Sequence, residues 1–169
     1  MNFKFYLEKL ENSENFKSFM KENPDAYLCS GFFIIDKQNN GAGDQQHLDY
    51  FIPSQKNLIS FCISDACQKN PSDLNDKNYI PEELLNYDFN FEEVEKIVTK
   101  TMDEKSIKNG IQKILVSLQS KGKKNFLLCT VFISTLGMIR IDISLPEMQV
   151  INFEKKSFFD IMKVSKKKD

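Results

Sequence analysis

The sequence predicts an α+β fold: two αβββ units whose strands join into one antiparallel sheet, with helices packed on one face. Three observations lead there. Apolar residues recur at helical spacing near the N-terminus and again after Asn90, and each such stretch precedes runs of strand length. The second is an internal echo. Leu28-Cys29-Ser30-Gly31-Phe32-Phe33-Ile34 is answered by Leu128-Cys129-Thr130-Val131-Phe132-Ile133. Further on, Leu48 to Pro53, with its strand partner ending at Phe61, is answered by Ile141 to Pro146 and a strand ending at Phe153. Such a repeat suggests one supersecondary unit used twice around a shared core. Third, a chain of 169 residues, 41% hydrophobic with 15 Phe, can bury a substantial interior. The expected organisation is a first unit over 1–64, an acidic connector over 65–90, and a second unit with a C-terminal helix over 91–169, together one compact domain.

Each element has its own justification. Phe3, Tyr6, Leu7 and Leu10 make one helical stripe, and Phe16, Phe19 and Met20 a second, capped by Asn12 or Ser13. Asn23-Pro24 ends it, because the residue before proline is pushed out of the α region. Ala26 to Asp36 is rich in Phe and Ile, as in a strand buried on both faces, and Lys37 to Gln46 is a hairpin loop. Leu48, Tyr50 and Ile52 then alternate with Asp49 and Phe51, and Ile59, Phe61 and Ile63 with Ser60, Cys62 and Ser64. The connector is expected to hold one short helix starting at Pro81. Asn90 and Glu93 read as a capping box before Val94, Ile97, Val98 and Met102. Ile107, Ile111, Ile114, Leu115 and Leu118 read as the stripe of a further helix, capped by Ser106 and closed by Gly122, with Gly110 inside it marking close packing. Phe126 to Ser134 repeats the buried strand, with Leu136-Gly137 in the turn that follows. Ile139, Ile141, Ile143 and Leu145 alternate with Arg140, Asp142 and Ser144. Val150 to Phe153 closes the sheet, and Ser157 caps a final helix.

Charge and cysteine usage narrow the function classes. The net charge of −1 gives no bulk attraction to nucleic acid or membrane. It is unevenly spread: Asp65 to Glu95 holds nine acids and two lysines, while Ser106 to Phe126 holds five lysines and no acid. Lys121, Lys123, Lys124 and the terminal Lys166 to Lys168 can meet phosphates, but the acidic connector opposes a nucleic-acid partner. No apolar run reaches the ~18 residues of a membrane span. The charged N-terminal stretch, Met1 to Glu8, is not a signal peptide, so the expected location is the cytoplasm. In that reducing setting Cys29, Cys62, Cys67 and Cys129 are structural rather than ligands to zinc, for which close Cys or His pairs are wanted. No cofactor or metal is expected.

The side chains that can recognise something lie on the polar side of the alternating strands. His47 and Asp49 share a strand face, the spacing of a base and its orienting acid, but nothing in the spacing supplies a nucleophile. Arg140, the only arginine, stands two residues from Asp142; it either forms a cross-strand salt bridge on an exposed sheet or offers a planar fork to an anion or peptide. Asp49 and Asp142 occupy matching places in the echo, where outward carboxylates also guard an open sheet against aggregation. Phe51 lies on the face of Asp49 and is expected to be an exposed aromatic anchor for a partner.

Ser106 to Phe153, a helix and three strands with Met138-Ile139-Arg140-Ile141-Asp142 leading into Val150-Ile151, resembles a PepSY-type domain. Asp142 matches the aspartate of that family's Val-x-Val-Asp-Ala-x-Thr-Gly-x-Val-Leu signature, and Val150-Ile151 its closing apolar pair. Ile143 stands where the signature has Ala, and Leu145-Pro146 where it has Thr-Gly. The resemblance implies a non-catalytic module that binds proteins. In tandem it is similar to the β-lactamase-inhibitor-protein architecture, whose open sheet grips its partner. The leading expectation is therefore a protein-binding module working through Phe51, Asp49, His47, Arg140 and Asp142, and not an enzyme. Two alternatives stand beside it: a small-ligand binder or enzyme using His47, Asp49 and Arg140, and a structural protein that dimerises through the sheet.

Overall fold

The computed structural model of this chain describes residues 2–38, 41–63, 66–72, 79–84, 88–134 and 137–157. It is an α+β fold in which three helices, α1 (Phe3–Glu11), α2 (Glu14–Glu22) and α3 (Phe91–Glu104), back one antiparallel sheet. The strands are β1 (Tyr27–Asp36), β2 (Gln45–Ile52), β3 (Asn57–Cys62), β4 (Gln68–Ser72), β5 (Ile111–Lys121), β6 (Lys124–Ile133), β7 (Gly137–Leu145) and β8 (Gln149–Ser157). Their order across the sheet is β4-β3-β2-β1-β5-β6-β7-β8, so two meanders meet where β1 pairs with β5.

The helix starts follow from side chains that accept the orphan N–H groups of a first turn. Asn2 accepts from the Phe5 N–H, Ser13 from that of Phe16, and Asn90 from that of Glu92. Asn23 closes α2 ahead of Pro24, as the sequence implies. Aromatic side chains then seat the helices on one face. Phe33 of β1 packs against Phe3 and Tyr6 of α1 and against Phe91 of α3, the last with ring centroids 4.8 Å apart. Phe61 of β3 packs against Phe16 and Phe19 of α2. With Ile114, Val116, Leu127, Cys129, Ile139, Ile141 and Ile143 these rings form a single buried cluster on the helix side. Each fully buried aliphatic or aromatic side chain there contributes about 1.5–3 kcal/mol.

The structure corrects several expectations. The segment after Ser106 is not a helix; Ile111 to Lys121 is β5, at the centre of the sheet. Ile114, Val116 and Leu118 point to the helices while Leu115 and Ser117 point the other way, so a strand with apolar residues on both faces imitates a helical stripe. Gly122 ends no helix. With Lys123 it forms the two-residue turn of the β5–β6 hairpin, both at positive φ (61° and 60°), where glycine is at ease and lysine is not. A Cβ on Gly110 would meet nothing within 4 Å, so close packing does not require that glycine. The connector contributes β4, an edge strand carrying Pro71 and Lys69, which suit an edge because they discourage further pairing. Residues 79–84 hold no helix at Pro81. The final helix expected after Ser157 lies outside the described residues, and β8 runs on to Ser157 instead of ending at Phe153.

The echo also falls out of step with the topology. The strand order is symmetric about the β1–β5 pair, which matches β2 with β6 and β3 with β7. The echo instead aligns β1 with β6 and β2 with β7. Asp49 and Asp142 are therefore not equivalent in the sheet, and each half carries four strands rather than three.

Candidate functional site

The face of the sheet turned away from the helices carries every residue the sequence singles out, and strand register fixes their layout. Running across it in one row are Cys62, His47, Phe32, Ser117, Leu128, Asp142 and Asn152. The next row towards the β5–β6 turn holds Ser60, Asp49, Ser30, Gln119, Phe126 and Ser144. On the other side run Ile34, Leu115, Thr130, Arg140 and Glu154. At the centre is a shallow depression of about 220 Å³ lined by Phe32, Leu115, Ser117, Leu128, Thr130 and Arg140. Its floor is apolar and half-exposed on three adjacent strands, β1, β5 and β6.

Arg140 and Asp142 form the best-defined polar feature beside it. The guanidinium Nε donates to one carboxylate oxygen of Asp142 at 2.9 Å and Nη2 to the other at 3.2 Å, and Asn152 on β8 donates to Asp142 at 3.1 Å. Asp142 is 8% exposed while about half of the Arg140 side chain faces solvent. The pair is thus a buried carboxylate that holds a half-exposed guanidinium flat against the sheet. Of the two sequence readings for Arg140, the salt bridge is present, within one strand rather than across two. Arg140 also lines the depression.

His47 and Asp49 sit elsewhere. Asp49 accepts from the Ser30 hydroxyl at 2.7 Å, and the His47 ring lies 6.5 Å from that of Phe32 on the neighbouring strand. Four strand spacings, about 19 Å, separate β2 from β7. His47, Asp49 and Arg140 therefore do not converge on one substrate atom, and the catalytic grouping weighed from the sequence is not assembled. The thiols are placed for packing. Burial, with the Asp49 charge adding to it, pushes Cys29 up to about 12, and burial likewise pushes Cys129 up to about 12. Such thiols stay protonated near neutrality and are poor nucleophiles. Among the described residues no group of three His, Cys, Asp or Glu side chains is placed to hold a metal.

Phe51 is where the expectation fails. Alternation does put it on the open side, but it is only 1% exposed and is not an available anchor. A bulge at Cys29 brings Tyr27 opposite Phe51, with ring centroids 5.7 Å apart. Residues 79–84 of the connector then cross this end of the sheet. The Tyr27 hydroxyl donates to the Pro81 carbonyl at 2.7 Å, and the Leu84 N–H to the Leu28 carbonyl at 2.9 Å. Glu82 closes the crossing by accepting from the N–H groups of Gly122 and Lys123, both at 2.9 Å, and from the Ser120 hydroxyl at 3.4 Å. Those backbone donors hold its carboxyl below the usual glutamate range. Sequence reasoning missed Leu115 and Leu128 because β5 reads as a helix. It missed Glu82 because one acid among nine carries no local signal.

No protein-family model matches this chain, and no curated protein matches it. The fold is similar to the crystal structure of a candidate lipoprotein from Clostridium difficile 630, at 10% sequence identity and a TM-score of 0.54, over 85% of this chain and 91% of that one. At that identity the likeness shows the fold alone.

Proposed function

We propose that this chain is a non-catalytic protein-binding module that holds its partner against the open face of the sheet. The observation that carries the reading is the depression over Phe32, Leu115 and Leu128, an apolar floor with the Arg140–Asp142 pair at one side. An apolar centre with a polar rim is the anatomy of a recognition surface. The fixed guanidinium supplies direction, since its N–H groups not bound to Asp142 can donate to a backbone carbonyl or carboxylate of the partner. The separation of His47 from Arg140 argues against the enzyme reading. We read the two meanders as tandem PepSY-like halves joined into one sheet; the helix-backed meander of each half supports this, and the one-strand slip of the echo does not. Buried, unreactive thiols at Cys29 and Cys129 fit a protein working inside the cell. No described helix is long and apolar enough to cross a membrane.

The test is affinity capture from the source cells with wild type, Leu128→Asp and Arg140→Ala. A protein retained by wild type and lost with both variants, while their circular dichroism stays native, is the expected result. Equal capture by all three overturns the assignment of the face.

A further inference from the structure

We propose that residues 79–83 form a strap that lifts from the sheet about a fixed end at Leu84, uncovering Tyr27, Phe51 and Leu58 as an extension of the partner surface. This rests on the reading of the open face as that surface, and adds how access to it is controlled.

The fixed end and the free part are distinguished by their packing. Leu84 belongs to the main core on the helix side, and its N–H is tied to the Leu28 carbonyl. Beyond it, among the described residues, the strap is held by two latches, the Tyr27 hydroxyl on the Pro81 carbonyl and the Glu82 carboxylate on the β5–β6 turn. Pro81 is buried, but Tyr79 and Ile80 turn outward, 56% and 65% exposed. Between strap and sheet lies a half-open pocket of about 210 Å³, lined on the sheet side by Cys29, Ser30, Leu58, Gln119 and Ser120. A segment built as permanent core would pack against the sheet there and leave no such opening. Here a few hydrogen bonds at the outside of the strap do what packing does elsewhere, so the segment is a candidate for opening well below the free energy of global unfolding.

What lies beneath continues the exposed surface. Phe51 pairs with Tyr27 and Leu58, and the row of Ser30 and Gln119 joins it to the row of Phe32 and Ser117 that floors the depression. With the strap down, the apolar area presented to a partner stops at that row. With it raised, two aromatic rings and a leucine are added beyond the polar row of Asp49, Ser30 and Gln119.

Cys29 reports the motion. It lies under the strap, 5% exposed, while Cys129 is fully buried on the helix side and Cys62 is half-exposed. The experiment is labelling of the full chain with N-ethylmaleimide, each cysteine read by peptide mass spectrometry, in wild type, Glu82→Ala and Tyr27→Phe. Cys62 labels first and serves as the reference. The expected result is that Cys29 labels ahead of Cys129 in wild type, and about tenfold or more faster in Glu82→Ala, with Cys129 unchanged. Tyr27→Phe, which keeps the ring and removes only the second latch, moves Cys29 the same way. Labelling of Cys29 in step with Cys129 in all three proteins overturns the proposal, because the strap then opens only when the whole fold does. No partner is needed for this readout, so its failure is separable from a failure of capture by the open face.

Discussion

Replacing Phe51 by Ala separates the structure from the bare alternation of its strand. On alternation alone Phe51 stands in water, and truncating it changes stability by no more than about 0.5 kcal/mol. In the structure it is 1% exposed, flanked by Tyr27 and Leu58, and the strap is tied to Tyr27 beside it. Removing a buried phenylalanine ring costs about 3–5 kcal/mol, the sum of lost transfer energy and the cavity left behind. The half-open pocket of about 210 Å³ under the strap gives Leu58 and Pro81 room to settle, which places the expected cost at the lower end, about 3 kcal/mol. Urea unfolding followed by far-ultraviolet circular dichroism measures it. With a slope of about 2 kcal/mol/M the midpoint falls by about 1.5 M at unchanged slope. Phe61→Ala, which empties a fully buried site under α2, is the companion measurement and costs about 3–5 kcal/mol. A loss below about 0.5 kcal/mol at Phe51 with a full loss at Phe61 would refute the covered end of the sheet.

Three further predictions follow from named contacts. A Cβ on Gly31 would lie 2.9 Å from the buried Phe33 ring, so Gly31→Ala costs about 1–3 kcal/mol, whereas Gly110→Ala stays within about 0.5 kcal/mol; urea midpoints of the two variants decide it. Arg140→Ala leaves Asp142 buried with Asn152 as its remaining side-chain partner, but the guanidinium is half in solvent, so the cost is about 1 kcal/mol and is largely recovered in Arg140→Ala with Asp142→Ser. The Glu82 carboxyl is held below its ordinary value in the folded chain, so its grip on the β5–β6 turn is complete above that ordinary value, about 4.3, and is lost as pH falls through the lower folded value. Amide exchange at Gly122 and Lys123 therefore accelerates on acidification beyond what Glu82→Ala shows, and identical pH profiles for the two proteins contradict this.

Much of this fold is legible in the sequence because single residues decide it. Ser13, Asn23-Pro24 and Asn90 mark helix ends by hydrogen bonding and sterics that act within a few residues. The alternation at Leu48 to Ile52 and Met138 to Leu145 gives the correct faces because each strand has one dry and one polar side. Where both sides are apolar the period is lost, and β5 reads as a helix for that reason; no local signal distinguishes Leu115 on the open face from Ile114 in the core. The site follows the same rule. The sequence correctly groups Arg140 with Asp142, two residues apart, and places Phe51 on the right side. It does not show that a connector thirty residues downstream crosses the end of the sheet that holds Phe51, since that depends on Tyr27 meeting Pro81 and on Glu82 meeting the β5–β6 turn. Nor does it show that three strands stand between His47 and Arg140, because that distance is set by the β1–β5 pairing.

The central claim is that the open face is where another protein binds. A photo-crosslinking amino acid at position 115, on the floor of the depression, tests it in the source cells, with the same group at exposed Phe5 on α1 as the control. The account predicts a discrete covalent adduct with a different protein from position 115 and none of that mass from position 5. An adduct only with a second copy of this chain, or no adduct at all from position 115, would contradict it.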